Sequence, residues 1–218
     1  VKAFKDLGYD VTYGVLSAAD FGVPQDRHRA VFLGQRGKLE IDLPVPNGIH
    51  TTIKEAIYDL PFIASGEGED VSEYDKAPFT KYQKLMRKGS KVLYNHVATK
   101  HNAVALRRLA MLPKGAEREI LPPGERTKSI YSGTWCRMKE DDISVTITTR
   151  YDTPSSGRFT HPILDRCITT REAARIQSFP DKYRFYGTKT SQMKQVGNAV
   201  PPLLAKAIAD VIANNEKL

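Results

Sequence analysis

The sequence predicts an α/β fold whose regular elements flank a long, less periodic middle. Three observations carry this. Residues 1–34 join a helix end to two strand-like apolar runs, the C-terminal stretch is an amphipathic helix, and the chain between them changes character. Val1–Leu7 reads as the end of a helix stopped at Gly8. Val11–Leu16 is β-branched and aromatic, a strand signature. Ala30–Gly34 (AVFLG) is a short continuous apolar run, which predicts a buried strand. The loop between them, Ser17–Arg29, carries Gly22-Val23-Pro24 and then a charged cluster.

From 35 to 165 the periodicity weakens. Pro, Gly and charge punctuate it at LPVPNG (43–48) and LPPGER (121–126), and SGEGED (65–70) predicts a looped or disordered tip. Short helices are predicted over Thr51–Leu60 and His101–Leu112, and Ser144–Thr149 is β-rich. Order returns over 166–187. Thr169 and Glu172 form a T-x-x-E capping box, so a helix starts at Thr170. It ends near Ser178, because Pro180 bars the preceding residue from α geometry. Pro201-Pro202 suits a helix first turn. Leu203, Leu204, Ala207, Ile208, Val211 and Ile212 then follow one helical face, leaving Lys206 and Asp210 on the wet side.

The chain has 218 residues, 40% of them hydrophobic, enough to bury a core. Lys plus Arg is 33 against 25 Asp plus Glu, a net charge of +8. That balance favours polyanion partners, nucleic acid first, although a generic basic protein accounts for it equally. No apolar run approaches a membrane span and no secretory signal opens the chain, so no membrane partner is expected. Cys136 and Cys167 sit in no CxxC or Cys/His cluster. That argues against a metal site or a disulfide framework and fits a reducing, cytoplasmic compartment.

Gln25-Asp26-Arg27-His28-Arg29 matches Q-x-R-x-R. Two arginines at i, i+2 in extended backbone point the same way, each a fixed cation with a planar donor fork for phosphate or carbonyl oxygens. Alone, a solvated basic turn is the better explanation of it. More motifs follow in order: Ile53–Pro61, Asn95-His96, Trp135-Cys136-Arg137, Thr146-Ile147 and Gly157–Pro162. The densest are Thr169–Asp181 (TTREAARIQSFPD) and Gln195–Pro202 (QVGNAVPP). In this order, over nearly the whole chain, they resemble the DNA (cytosine-5) methyltransferase family.

The resemblance implies part of a class I S-adenosylmethionine-dependent methyltransferase sheet, Rossmann-like, with a smaller mixed α/β target-recognition domain. Residues 1–34 and 188–218 would belong to the catalytic domain and 35–187 to the small one. It implies methyl transfer from S-adenosyl-L-methionine to C5 of a cytosine flipped out of double-stranded DNA, with a Cys thiolate attacking C6 and a Glu donating to the N3 edge. The second Arg of Q-x-R-x-R, here Arg29, would hold the cytosine O2, while Gln25 and Arg27 brace the loop and a nearby phosphate. Asn198, Ala199 and Val200 would line the methyl-donor pocket, with Gly197 letting backbone come close to the ligand. Capping of the final helix is the plain alternative for Gly197-Asn198. Arg171, Glu172 and Arg175 would organise the small domain as an ion network. Thr146 would support the flipped nucleotide, or be an ordinary strand Thr. Arg150 and Tyr151 would sit on a DNA-facing loop.

This chain departs from the family pattern in three places. It has no F-x-G-x-G turn, no Pro-Cys nucleophile and no Glu-Asn-Val block; Cys136 follows Trp135 and Cys167 follows Arg166, so both read as structural. In the family these blocks precede Q-x-R-x-R. The expectation is therefore a C-terminal portion or one subunit of a split enzyme, inactive without an N-terminal catalytic half. Strands 11–16 and 30–34 would keep open edges, helix 203–213 a partly exposed apolar face, and the lone chain would be poorly soluble. A non-catalytic, sequence-specific DNA-binding fragment is the alternative. Restriction-modification, orphan and phage-borne enzymes read alike here.

Overall fold

The computed structural model describes residues 1–37, 41–128 and 132–215. Helix α1 (Lys2–Asp6) ends where Gly8 turns left-handed, φ +79°. Strands β1 (Tyr9–Ser17) and β2 (His28–Arg36) then pair antiparallel, Tyr9 opposite Arg36 and Ser17 opposite His28. The AVFLG run lies in β2, but it is not a buried strand. Tyr13, Val15, Ala30 and Phe32 share one face of the ribbon, and that face is open to solvent. Phe32 stacks on Tyr13 at 5.7 Å, yet both stay more than half exposed. A continuous apolar run foretells burial on both faces only where something covers the second one.

The central stretch is denser. Helix α2 (Ile53–Ile57) begins at a capping box of Thr52 and Glu55, and Ile53, Ala56 and Ile57 turn inward. The SGEGED segment is not a loose tip. Its last residues open β3 (Gly68–Ser72), which pairs antiparallel with β4 (Leu93–Val97). Gly68, at φ +95°, is required there, since a Cβ would lie 2.1 Å from the His96 carbonyl oxygen. Helix α3 (Lys81–Arg87) starts at a second capping box, Thr80 with Gln83, and α4 (Ala103–Ala110) is capped by Asn102. The β-rich 144–149 segment forms no ladder; Ser144 makes a single parallel bridge to Gln25. Helix α5 (Thr170–Ile176) starts at the Thr169–Glu172 box, as the sequence predicts, and its exit is turned by Ser178 at φ +64°. Helices α6 (Lys189–Asn198) and α7 (Pro202–Asn215) complete the chain. Among the described residues, no single helix is long and apolar enough to cross a membrane.

Packing sorts these elements. The main core joins α2, Tyr82 and Met86 of α3, Leu93, Ile147, Tyr151, Phe159, α5, Phe185, and Met193 and Val196 of α6. A satellite beneath α4 gathers Leu109, Leu112, Leu121 and Trp135. A separate small cluster joins Ala18, Phe21 and Val23 to Leu204, with Leu16, Ala207 and Ile208 against it. Helix α6 thus packs with the central region, and α7 packs mainly on the connection between β1 and β2, with Leu203 also touching the main core.

The main core also holds charges. Arg175 is fully buried and reaches Asp59 at 3.0 Å and Asp181 at 2.5 Å. Arg166 donates to both oxygens of Glu172 at 2.8 Å. Arg171 donates to the Tyr94 and Tyr183 carbonyls at 2.8 and 2.6 Å. This is the ion network expected for 171–175, extended to Asp59, Arg166 and Asp181. Desolvating such ions is costly, so each survives only because a partner is present.

Candidate active site

The loop before β2 is stitched to the segment before Ile147. Asp26 N donates to Ser144 O at 2.8 Å, and Ser144 N donates to Pro24 O at 3.0 Å. Thr146 Oγ1 donates to Asp26 O at 2.6 Å. Gln25 is fully buried; its Oε1 accepts from Ile147 N at 2.7 Å and its Nε2 donates to Gln177 Oε1 at 2.8 Å.

Arg27 is buried as well. Its guanidinium donates to Ile147 O at 3.0 Å, Gly197 O at 2.8 Å and Ala199 O at 3.1 Å. Burial, then the neighbouring Arg29 cation, pulls its pKa down to about 10, so it stays charged at neutral pH. The structure therefore corrects the phosphate assigned to Arg27. Its oxygens are carbonyls of this chain, because the side chain runs inward beneath the loop.

The role read for Gly197 also changes. It is no isolated turn but sits in the last turn of α6. A Cβ there would lie 2.2 Å from Thr148 O, so the close approach is to the 148–149 backbone and not to a ligand. Beyond it, Asn198 is exposed, Ala199 half-buried and Val200 half exposed. The Asn198 carboxamide makes no hydrogen bond among the described residues.

Arg29 takes the other face of β2 from Phe32, cross-strand from Leu16 and half-buried. Its guanidinium donates to the His28 carbonyl at 2.6 Å, and among the described residues most of its donor fork is open. Arg150 is exposed on a turn where Thr148 Oγ1 bonds both its carbonyl and its N–H. Tyr151 is a correction. It is fully buried, edge-on to Phe159 in the main core, so it cannot meet DNA. The structure thus brings Gln25, Arg27, Thr146, Ala199 and the base of Arg29 to one junction, and sends Tyr151 inside.

Gln177 is the functional candidate that the sequence reading missed. It is fully buried, and its Nε2 donates to Val196 O at 2.8 Å. The available signal was a long polar side chain on the Ala173–Ala174 face of a capped helix, a position that demands a partner.

Both cysteines are free and buried. Cys136 donates to Glu117 at 3.1 Å, and burial together with that carboxylate pushes its thiol up to about 11. Burial also raises the Cys167 thiol well above its ordinary range. Both therefore stay protonated at neutral pH.

The family model for C-5 cytosine-specific DNA methylase matches residues 1–214. The chain belongs to this family. It is 37% identical over 237 residues to the type II methyltransferase M.DdeI of Desulfomicrobium norvegicum, covering 97% of this chain and 56% of that protein. It is 35% identical over 212 residues to the type II methyltransferase M1.HphI of Haemophilus parahaemolyticus, covering 97% of this chain and 50% of that protein. The chain spans about half the length of these curated relatives. Among solved structures, one described as a DNA modification methyltransferase encoded within an E. coli prophage superposes with a TM-score of 0.75 at 27% identity. It covers 98% of this chain and 63% of that one. The S. pombe Dnmt2 methyltransferase matches at TM-score 0.57 and 14% identity, over 100% of this chain and 61% of that one, a likeness of fold alone. The architecture is accordingly that of methyltransferases.

Proposed function

We propose that this chain is the C-terminal part of a DNA (cytosine-5) methyltransferase. Arg29 holds the flipped cytosine, Asn198, Ala199 and Val200 form one wall of the methyl-donor site, and Thr146 and Arg150 serve duplex DNA. One observation carries the reading. The Arg27 guanidinium ties together the segments of these three groups, bonding Ile147 beside Thr146, Gly197 and Ala199 beside the donor wall, two residues from Arg29 itself.

Thiolate attack at C6 gathers negative charge toward O2 and N3 of the cytosine ring. A permanent guanidinium cation at O2 stabilises that charge more in the transition state than in the ground state. S-adenosylmethionine, when bound, supplies the methyl group for C5. The residues present fit one wall of its site: Asn198 offers an unengaged carboxamide and Val200 an open apolar surface, while Arg27 occupies the Gly197 and Ala199 carbonyls. The thiolate comes from a segment outside this chain, since Cys136 and Cys167 are buried and protonated. Double-stranded DNA and that N-terminal catalytic segment are the partners, in the cytoplasm. The β1–β2 ribbon and α7 belong to the catalytic domain, the region from 35 to 187 recognises DNA, and α6 is the return between them.

The test is kinetic, in the enzyme assembled with its thiolate-bearing segment. Arg29→Ala should lower kcat for methyl transfer by about 10²–10³-fold. Arg150→Ala should raise the KM for DNA with kcat little changed. An Arg29→Ala enzyme with normal kcat refutes the assignment.

A further inference from the structure

Gln177 closes a ring of polar contacts in which the proposed chemistry uses only the Arg27 side. Its Oε1 accepts from Gln25 Nε2 at 2.8 Å, and its Nε2 donates to Val196 O at 2.8 Å. Gln25 Oε1 accepts from Ile147 N at 2.7 Å. Arg27 completes the ring through Ile147 O at 3.0 Å and Gly197 O at 2.8 Å. All three side chains are buried. The ring has one sense. Flipping the Gln177 amide would set its NH2 against that of Gln25 and its oxygen against Val196 O, so both amides are locked.

Val196 O is also the acceptor for Ala199 N, the contact that ends α6. Gln177 therefore grips the carbonyl from which the 198–200 wall departs, and through Gln25 it grips the loop that leads to Arg29.

We infer that Gln177 is a positioning residue for methyl transfer, holding the donor wall in register with the cytosine-holding arginine through Val196 and Gln25. This rests on the assignment of Asn198–Val200 to the methyl donor.

The experiment compares Gln177→Met and Gln177→Glu in the enzyme assembled with its thiolate-bearing segment, measuring Kd for S-adenosylmethionine and KM for DNA across pH. Gln177→Met leaves Gln25 Nε2 without its partner and removes the second donor to Val196 O, which keeps Ala199 N. It should weaken donor binding by about tenfold, with the KM for DNA changed by less than about twofold. Gln177→Glu accepts from Gln25, but only its protonated carboxyl can also donate to Val196 O. Its donor affinity should recover as pH falls, while that of Gln177→Met does not. Equal losses for donor and DNA with no recovery in the Glu variant overturn the inference, as they would mark a merely structural residue. Should the Met variant fail to fold, the pH response of the Glu variant decides alone. Asn198→Ala with Val200→Ala separates the two claims. If that pair weakens donor binding while Gln177→Met does not, the positioning role falls and the wall stands. If the pair leaves donor binding intact, the wall assignment itself is wrong.

Discussion

The stretch from α2 to α6 and the pair made by the β1–β2 ribbon with α7 are held by different physics. The first buries its apolar side chains around ions that are paired in place, Arg175 with Asp59 and Asp181, Arg166 with Glu172. The second buries four residues fully, Ala18, Phe21, Val23 and Leu204, and leaves Tyr13, Val15 and Phe32 more than half exposed. One region completes itself. The other presents a finished ladder with one apolar face unused. The proposed active site lies at their junction, where Gln25, Arg27 and Gln177 bind both together.

The largest effect expected from this contrast is at Arg175. Arg175→Ala removes the cation shared by two buried carboxylates, leaving Asp59 only Arg87 at 3.5 Å and Asp181 the Tyr74 hydroxyl and the more distant Arg171, and should cost ~3–5 kcal/mol, read by denaturant unfolding. A loss under ~1 kcal/mol would mean that the network is not what holds the central region. Next comes acid. Burial, with the Arg166 and Arg137 cations adding to it against the pull of Glu172, pushes the His161 imidazole down to about 3, so it is neutral in the fold. In the unfolded chain its pKa is ~6.5, so between those values only the unfolded state takes the proton. His161 thus contributes full stability above pH ~6.5 and loses it as pH falls toward 3, by up to ~1.4 kcal/mol per pH unit. Glu172 steepens the lower end. Burial raises its carboxyl, but the Arg166 charge and hydrogen bonds outweigh that and hold it well below the carboxylate range. Chemical denaturation at a series of pH values should show this limb, and His161→Asn should flatten it.

Gly197→Ala should cost ~1–3 kcal/mol, because its Cβ would meet backbone atoms of Thr148 and Thr149 that cannot swing aside. Thermal melting checks this, and an unchanged Tm would mean that the junction is looser than described. The smallest effect belongs to the ribbon. Tyr13→Ser with Phe32→Ser should lose only about 1 kcal/mol, the value of an exposed stacked pair, while reducing self-association in sedimentation. A large loss of stability there would erase the contrast.

Much of this was legible in the residues. The Thr169–Glu172 box set the start of α5, the Pro201-Pro202 step and the apolar spacing after it gave α7, and Arg171, Glu172 and Arg175 read as an ion network. Helix α3 carried the same kind of box, Thr80 with Gln83, and could have been found by it. What stayed hidden depends on distant partners. Nothing local says that Arg27 reaches Gly197 at a separation of 170 residues, or that Gln25 meets Gln177 at 152. Tyr151 looked suited to DNA beside Arg150, and only its packing on Phe159 turns it inward. Glycines in SGEGED suggested looseness, where Gly68 serves a tight approach to His96.

The proposed function is a division of labour, in which this chain would hold the cytosine and one donor wall and another segment would supply the thiolate. The direct measurement is transfer of labelled methyl groups from S-adenosylmethionine to duplex DNA, by this chain alone and after adding a segment that bears the Pro-Cys and Glu-Asn-Val blocks. No incorporation alone and sequence-dependent incorporation on addition is the predicted result. Labelled 5-methylcytosine formed by the lone chain would contradict it.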